Sequence, residues 1–286
     1  MPRLVTVGHV TWDRRAEGEI LGGAASYAGL AAHRLGWEVA VLTAAGADLD
    51  PARDLPGLSV FVAPAARTTR FQNTDTDDGG RRQVVTSRAG PIDLSVLPDE
   101  WRRPDALLLG PVVGEVPPRL ALAFEADLVG AAGQGWLRQI EADGQVSAGT
   151  WVDPAADLAG VHALFLSEHD LSGSRLAGPD LLRFVPMVFL TRGFEGLRLL
   201  LRDAVHEVPT LPRPELDPTG AGDVLAATFL VRYYETGDPL EAAAFGACAA
   251  SCCVEGVGAS SLGTRAEVER RLLLRERLIE EGEWEE

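Results

Sequence analysis

The stretch DPTGAGD, residues 217–223, stands directly before the apolar run VLAATFLVRYY at 224–234. Two readings compete for its paired glycines and paired carboxylates. An aspartate at a helix start satisfies orphan backbone N–H groups and favours the positive end of the helix dipole. Alternatively, successive N–H groups of a glycine-rich turn form a concave site for phosphate or another anion, because glycine permits unusual φ angles and close approach. A carboxylate at the same helix end then accepts a proton from a hydroxyl held beside that phosphate. Taken alone, the seven residues leave both readings open.

Outward from this stretch, the pattern is of α/β type. Helices are predicted over 221–236, 238–255 and 264–280, the first with Val224, Leu225, Thr228, Phe229 and Arg232 on one face. The segment LVTVG reads as a buried strand and HVTWDRR as a loop. A helix opened by Gly22 and Gly23 and closed by Gly36 leads into the strand EVAVLT. From about residue 58 the texture changes to short β-prone pieces, LSVFVA, RTTRFQN and RRQVVTS, with the turn-rich TDTDDGG between the last two. They predict a small antiparallel appendage. Alternation then returns in DALLLG, ADLVGAAG, HALFLS and MVFLTRG, followed by the strand pair GLRLLLRD and AVHEVP. The tail EEGEWEE reads as frayed and solvated.

Composition narrows the chemistry. A chain of 286 residues, 46% hydrophobic, can bury a large core. The net charge of −16 argues against a nucleic-acid surface, which needs clustered Lys and Arg. No run approaches about 18 apolar residues, and the start MPRLVTVGHV lacks a signal-peptide layout, so a cytoplasmic protein with no membrane partner is expected. All 26 basic residues are arginine. The absence of lysine excludes a Walker-type phosphate lysine, a protein-kinase strand lysine and Schiff-base catalysis. Cys248, Cys252 and Cys253 fit neither a zinc pair nor a disulfide framework and read as core.

DPTGAGD resembles the C-terminal signature of the ribokinase-like, or PfkB-type, carbohydrate kinases, Asp-Thr-x-Gly-Ala-Gly-Asp, departing from it at Pro218. The GG pair at 22–23, the β segments and FLTRGFEG follow in the family's order, so the resemblance covers essentially the whole chain. It implies a ribokinase-like three-layer α/β/α sandwich as a single domain over residues 1–286. A small β-sheet lid is implied from about 10–20 and 58–90. Residue by residue, it implies Asp223 as general base and Gly220, Ala221 and Gly222 as the anion hole. Asp13, Gly22 and Gly23 would meet the substrate, and Ser167, Thr191, Gly193 and Gly196 the ATP, with Gly220 and Gly222 shared. Relatives carry Asn-x-x-Glu where this chain has SEHD, so Asp170 is the matching carboxylate for Mg²⁺, acting through water. Asp217 matches a position that holds a monovalent cation in some relatives, leaving K⁺ open.

GHVTWD, the lid segment, GPVVGEVP and GQGWLR look most like the myo-inositol kinase branch. A cyclitol needs several convergent polar groups, and Gln72, Asn73, Gln134 and Asp13 are available, the amides otherwise being exposed polar residues. His9 either lines the site or is structural; Arg82 and Arg88 either steer an anionic group or are solvated. The expected partners are ATP and a small polyol, with the chain a monomer or homodimer. The alternatives are a nucleoside or other sugar kinase of the same family, and a ligand-binding protein that has lost transfer.

Overall fold

The first strand, β1 (Arg3–Val7), is apolar and buried along nearly its whole length, as a central strand of a parallel sheet must be. Chain order continues with β2 (Thr11–Arg15), β3 (Gly18–Gly22), helix α1 (Ala24–Arg34), β4 (Glu38–Ala45), the short helix α2 (Pro51–Asp54) and β5 (Ser59–Pro64). Then come β6 (Thr69–Asp75), β7 (Arg81–Ser87), β8 (Ala106–Leu109), β9 (Leu128–Ala132), β10 (Arg138–Ile140) and β11 (Val146–Ala148). The remainder is α3 (Pro154–Asp157), β12 (Ala163–Ser167), α4 (Gly178–Leu181), β13 (Met187–Thr191), β14 (Leu197–Leu201), β15 (Ala204–Val208), α5 (Ala221–Thr236), α6 (Pro239–Cys253) and α7 (Arg265–Glu281). This computed structural model describes residues 1–15, 18–75 and 81–282, so most of TDTDDGG and the last four residues of EEGEWEE lie outside the described residues.

Nine strands form the main sheet in the order β15-β14-β13-β12-β9-β8-β1-β4-β5. Every neighbouring pair from β13 to β5 is parallel, and β14 and β15 close the other edge antiparallel. Parallel strands gather their C-terminal ends on one edge, where open α/β sheets bind ligands. One face of the sheet is covered by α1, α5, α6 and α7. The other is covered by short pieces, whose Trp101, Leu120, Phe124, Leu158 and Leu181 pack on Leu107, Val129, Leu164 and Val188. The sandwich therefore has one thick helical layer and one thin layer.

A second sheet, β3-β2-β6-β7, forms the lid. Two sequence readings need correction. HVTWDRR is not a loop: Thr11–Arg15 is a lid strand, antiparallel to β3 and parallel to β6. LSVFVA is not part of the appendage: Ser59–Pro64 pairs parallel with β4 as the outer strand of the main sheet. LSVFVA is misread because a short apolar run carries no signal of which sheet it joins, and HVTWDRR because its charged residues hide a half-buried strand. The small hairpin β10–β11 was also not foreseen.

Helix α5 is buried at every residue from Val224 to Val231, not along one stripe, because it lies between the sheet, α1 and α6. Phe229 is fully buried and anchors it. Its ring lies 4.5 Å from Phe189 and 5.5 Å from Phe165, and those two strand residues stack at 4.4 Å. This cluster fixes the height of the helix over β12 and β13, and with it the position of the helix start. Phe229→Ala is expected to cost about 3–5 kcal/mol of unfolding free energy, measured by urea titration.

Candidate active site

The start of α5 faces the C-terminal edge of the sheet. Gly220 is its cap residue, with φ 83°, and a Cβ there would overlap the Tyr27 ring. The turn is closed by Ala221 N–H donating to the Pro218 carbonyl at 3.2 Å, and the first helical bond runs from Val224 N to Gly220 O. Among the described residues, the N–H groups of Gly222 and Asp223 find no acceptor. Two orphan donors at a positive helix end can receive an anion. Pro218 fits here because it contributes a carbonyl to the turn and its missing N–H is not called upon.

Two cavities meet at this point, sharing Ser167, Thr191, Pro218 and Gly222 in their walls. The larger, about 470 Å³, lies under the lid and includes Asp13, Phe71, Gln83, Gln134, Arg138 and Asp223. The smaller, about 290 Å³, is lined mainly by apolar groups, among them Leu197, Leu211, Leu225, Ala247 and Val254, with Gly193, Gly196 and Ala221.

Asp223, in the first turn of α5, is half-buried on the floor of the larger cavity. Burial lifts its carboxyl to about 7, with the Arg138 guanidinium opposing the rise and Asp170 reinforcing it. Asp13 is 6% exposed and comes from lid strand β2, where it accepts a hydrogen bond from Thr11 Oγ1 at 3.0 Å. Gly22 lies opposite, with no side chain to crowd that carboxylate. Gly23 caps α1 at φ 91°, packed so tightly against the His9 carbonyl that a Cβ could not enter.

Asp170 reaches the same cavity and is tied down: Oδ2 accepts from Ser167 N and Oδ1 from Gln134 Nε2, both at 2.8 Å. Ser167 Oγ accepts in return from Asp170 N at 3.0 Å, so SEHD is a closed reciprocal turn. Of the three candidate amides, Gln134 lines the cavity, whereas Gln72 and Asn73 are not among the lining residues. Gln72 points outward and is exposed, and the Asn73 carbonyl accepts from Gln83 Nε2 at 2.9 Å. Strand alternation explains Gln72, since Phe71 takes the inward position and Gln72 the next one out, while Asn73, on the Phe71 side, is engaged by Gln83.

Arg138 is the principal residue that sequence reasoning missed, although it ends the quoted GQGWLR. Its guanidinium donates to Val112 O at 3.1 Å and Gln83 Oε1 at 3.2 Å and lies 5.5 Å above the Phe71 ring. Burial lowers its pKa, while Asp170, Asp223, Asp13 and Glu115 pull in the opposite direction. An arginine stays charged even so. Glu115, 3% exposed, shapes the adjoining turn by accepting from His9 N, Val112 N and Val113 N. His9 is structural, bonded to Gly90 O and Thr69 Oγ1, while Arg88 donates to Val113 O and Arg82 to Gln145.

Among the described residues, no three His, Cys, Asp or Glu side chains are grouped to hold a metal ion. That fits Mg²⁺ delivered with nucleotide phosphates, which needs only one or two carboxylates and keeps several waters, and Asp170 and Asp223 line one cavity. K⁺ does not fit. The Asp217 carboxylate is already held by Arg15 Nη2 at 2.7 Å, Thr219 N at 3.0 Å and Gly258 N at 3.1 Å.

Residues 156–265 match the family described as pfkB family carbohydrate kinase. A nucleoside kinase of Methanocaldococcus jannaschii is 33% identical over 115 residues, a match spanning 38% of this chain and 38% of that protein. Solved structures agree along the whole chain. A pyrophosphate-dependent kinase in the ribokinase family, complexed with a pyrophosphate analogue and myo-inositol, superposes with a TM-score of 0.78 at 19% identity, covering 94% of this chain and 99% of that one. Ribokinase from Thermotoga maritima gives 0.73 at 21% identity, covering 96% and 100%. The fold is ribokinase-like, and its C-terminal part carries the PfkB match.

Replacing Arg138 by methionine removes a positive charge that holds the Asp223 carboxyl down. Its titration midpoint, followed by carboxyl ¹³C NMR, is expected to move above about 7; an unchanged or lower midpoint would contradict the assigned geometry.

Proposed function

We propose that the chain is a kinase that transfers the γ-phosphoryl group of ATP to a hydroxyl of a sugar or cyclitol, with myo-inositol as the first acceptor to test. The observation that carries this reading is the meeting of two cavities at a helix start bearing two orphan amides and a carboxylate lifted to about 7. A base poised near neutrality accepts a proton from an alcohol as that alcohol attacks, then returns it to solvent.

In this reading the acceptor lies under the lid, its hydroxyls held by Asp13 and Gln134, with one of them beside Asp223. Asp223 takes the proton, the alcohol oxygen bonds to the γ-phosphorus, and the bond from that phosphorus to the bridging oxygen breaks to release ADP. The Gly222 and Asp223 amides and Arg138 offset the charge that spreads over the equatorial oxygens. Mg²⁺ bound with the nucleotide would neutralise its phosphates, with Asp170 holding it through water. The lid excludes water, the competing acceptor.

ATP is favoured as donor by the smaller cavity, an apolar slot of about 290 Å³ opening onto the anion site, which suits an adenine ring. Pyrophosphate, the donor named for one structural neighbour, would leave that slot without use. A nucleoside acceptor is the second reading, favoured by the local match to the archaeal nucleoside kinase. Against it, the face of Phe71 in the acceptor cavity is taken by Arg138 and offers little to a nucleobase.

The test is product formation from MgATP or pyrophosphate with myo-inositol, ribose, fructose, adenosine and cytidine. ADP release with a polyol is expected. Turnover with pyrophosphate alone would overturn the donor, turnover with nucleosides alone the acceptor, and nucleotide binding without turnover would favour a ligand-binding protein. Asp223→Asn is expected to lower kcat by about 10²- to 10⁴-fold while retaining nucleotide binding. In the unaltered enzyme kcat/KM should rise with pH and level off above about 7, as the base loses its proton.

A further inference from the structure

Asp217 opens the DPTGAGD stretch and is 3% exposed, so its charge must be compensated inside the protein. Two backbone amides, of Thr219 and Gly258, supply partial positive charge. The full positive charge comes from Arg15, 202 residues away in sequence, on lid strand β2. The same Nη2 that reaches Asp217 at 2.7 Å also donates to Thr219 Oγ1 at 3.0 Å. Thr219 immediately precedes Gly220, the left-handed cap that turns the chain into α5.

We propose that the Arg15 guanidinium, extended from the lid to Asp217 and Thr219, is a built-in cation that takes the place of a monovalent metal ion beneath the anion site. A guanidinium in direct contact with the carboxylate leaves no room for K⁺ against the same oxygen, and its like charge repels one. Arginine suits the position because its charge is permanent and Nη2 carries two N–H donors, one for the carboxylate and one for the hydroxyl. The arrangement also carries a local cost: Arg15 Nε is buried with no acceptor among the described residues.

Origin on the lid adds a consequence. The turn that aims the Gly222 and Asp223 amides is braced by a residue that belongs to the acceptor's cover, so lid and anion site are held as one unit. Arg15 is thus a positioning residue, acting on transfer through Asp217 and Thr219 without touching the reacting atoms. The effect on turnover rests on the kinase reading, whereas the occupancy of Asp217 does not.

The test compares the unaltered protein with Arg15→Ala and Arg15→Lys in potassium chloride and tetramethylammonium chloride at equal ionic strength. Thermal unfolding is read first, then turnover with whichever acceptor the substrate panel identifies. For the unaltered protein, the same Tm and the same kcat in both salts are expected. Arg15→Ala should unfold at lower temperature and regain stability selectively in K⁺, and its turnover should fall by on the order of 10²-fold, with partial recovery in K⁺. Arg15→Lys should recover part of the loss in both salts.

A several-fold activation of the unaltered protein by K⁺, or a K⁺-specific rise in its Tm, would overturn the proposal. So would an Arg15→Ala protein with unchanged Tm and no response to K⁺. If Arg15→Ala does not fold, the salt comparison on the unaltered and lysine forms decides. If no acceptor is turned over, the unfolding data still decide the cation question while the kinase reading fails separately.

Discussion

The N–H groups of Gly222 and Asp223 point out of the first turn of α5 with nothing in the described chain to receive them, and the rest of the site is arranged around that fact. Leaving donors unpaired at a helix start is costly unless water or an anion meets them. What makes the arrangement stable is the opposite end of the same argument: α5 is buried through two full turns and pinned by Phe229 against Phe165 and Phe189. Apolar packing thus holds a polar helix end at the C-terminal edge of the sheet. Gly220 completes it, because only a residue without Cβ can stand under Tyr27 with φ 83°.

Charge is the second constraint. In the proposed reaction a protein with a formal charge of −16 would have to bring anionic phosphates together with Asp13, Asp170 and Asp223 in one cleft. Two arginines make this tolerable by different means. Arg138 enters the cleft itself, held by a carbonyl, an amide and an aromatic face, and forms no ion pair among the described residues, so its charge remains available to a ligand. Arg15 lies beside the cleft and is spent on Asp217. Glu115 supports the first of these from below, gathering three backbone amides and so fixing the turn whose Val112 carbonyl holds Arg138.

Much of this was legible in the sequence, for identifiable reasons. The helix over 221–236 and the glycine turn before it are local features, written in contiguous residues, and α5 begins and ends where the pattern predicted. Strand segments such as HALFLS and MVFLTRG were equally local. Membership of a sheet is not local: LSVFVA reads as lid and HVTWDRR, from its residues, as a loop, whereas the family resemblance put about 10–20 in the lid sheet that Thr11–Arg15 joins. Gln72 is exposed because neighbouring strand residues face opposite ways in space, a difference that their sequence does not carry. Arg15 and Arg138 were invisible as a pair with distinct tasks, since each acquires its meaning from partners far away in sequence, Asp217 for one and the cleft carboxylates for the other. The only local hint for Arg138 was a charged residue closing an otherwise uncharged run, GQGWLR.

In the proposed reaction the start of α5 receives the transferring phosphate while Asp223 receives the acceptor's proton. That placement is tested most directly by a crystal structure of the protein with a non-transferable ATP analogue, Mg²⁺ and the polyol that supports turnover. A γ-phosphate oxygen is expected within hydrogen-bond distance of the Gly222 and Asp223 amides, with an acceptor hydroxyl beside the Asp223 carboxylate, in line with the γ-phosphorus. A phosphate bound away from those amides, or an acceptor whose nearest carboxylate is Asp13 or Asp170 with Asp223 out of reach, would contradict it.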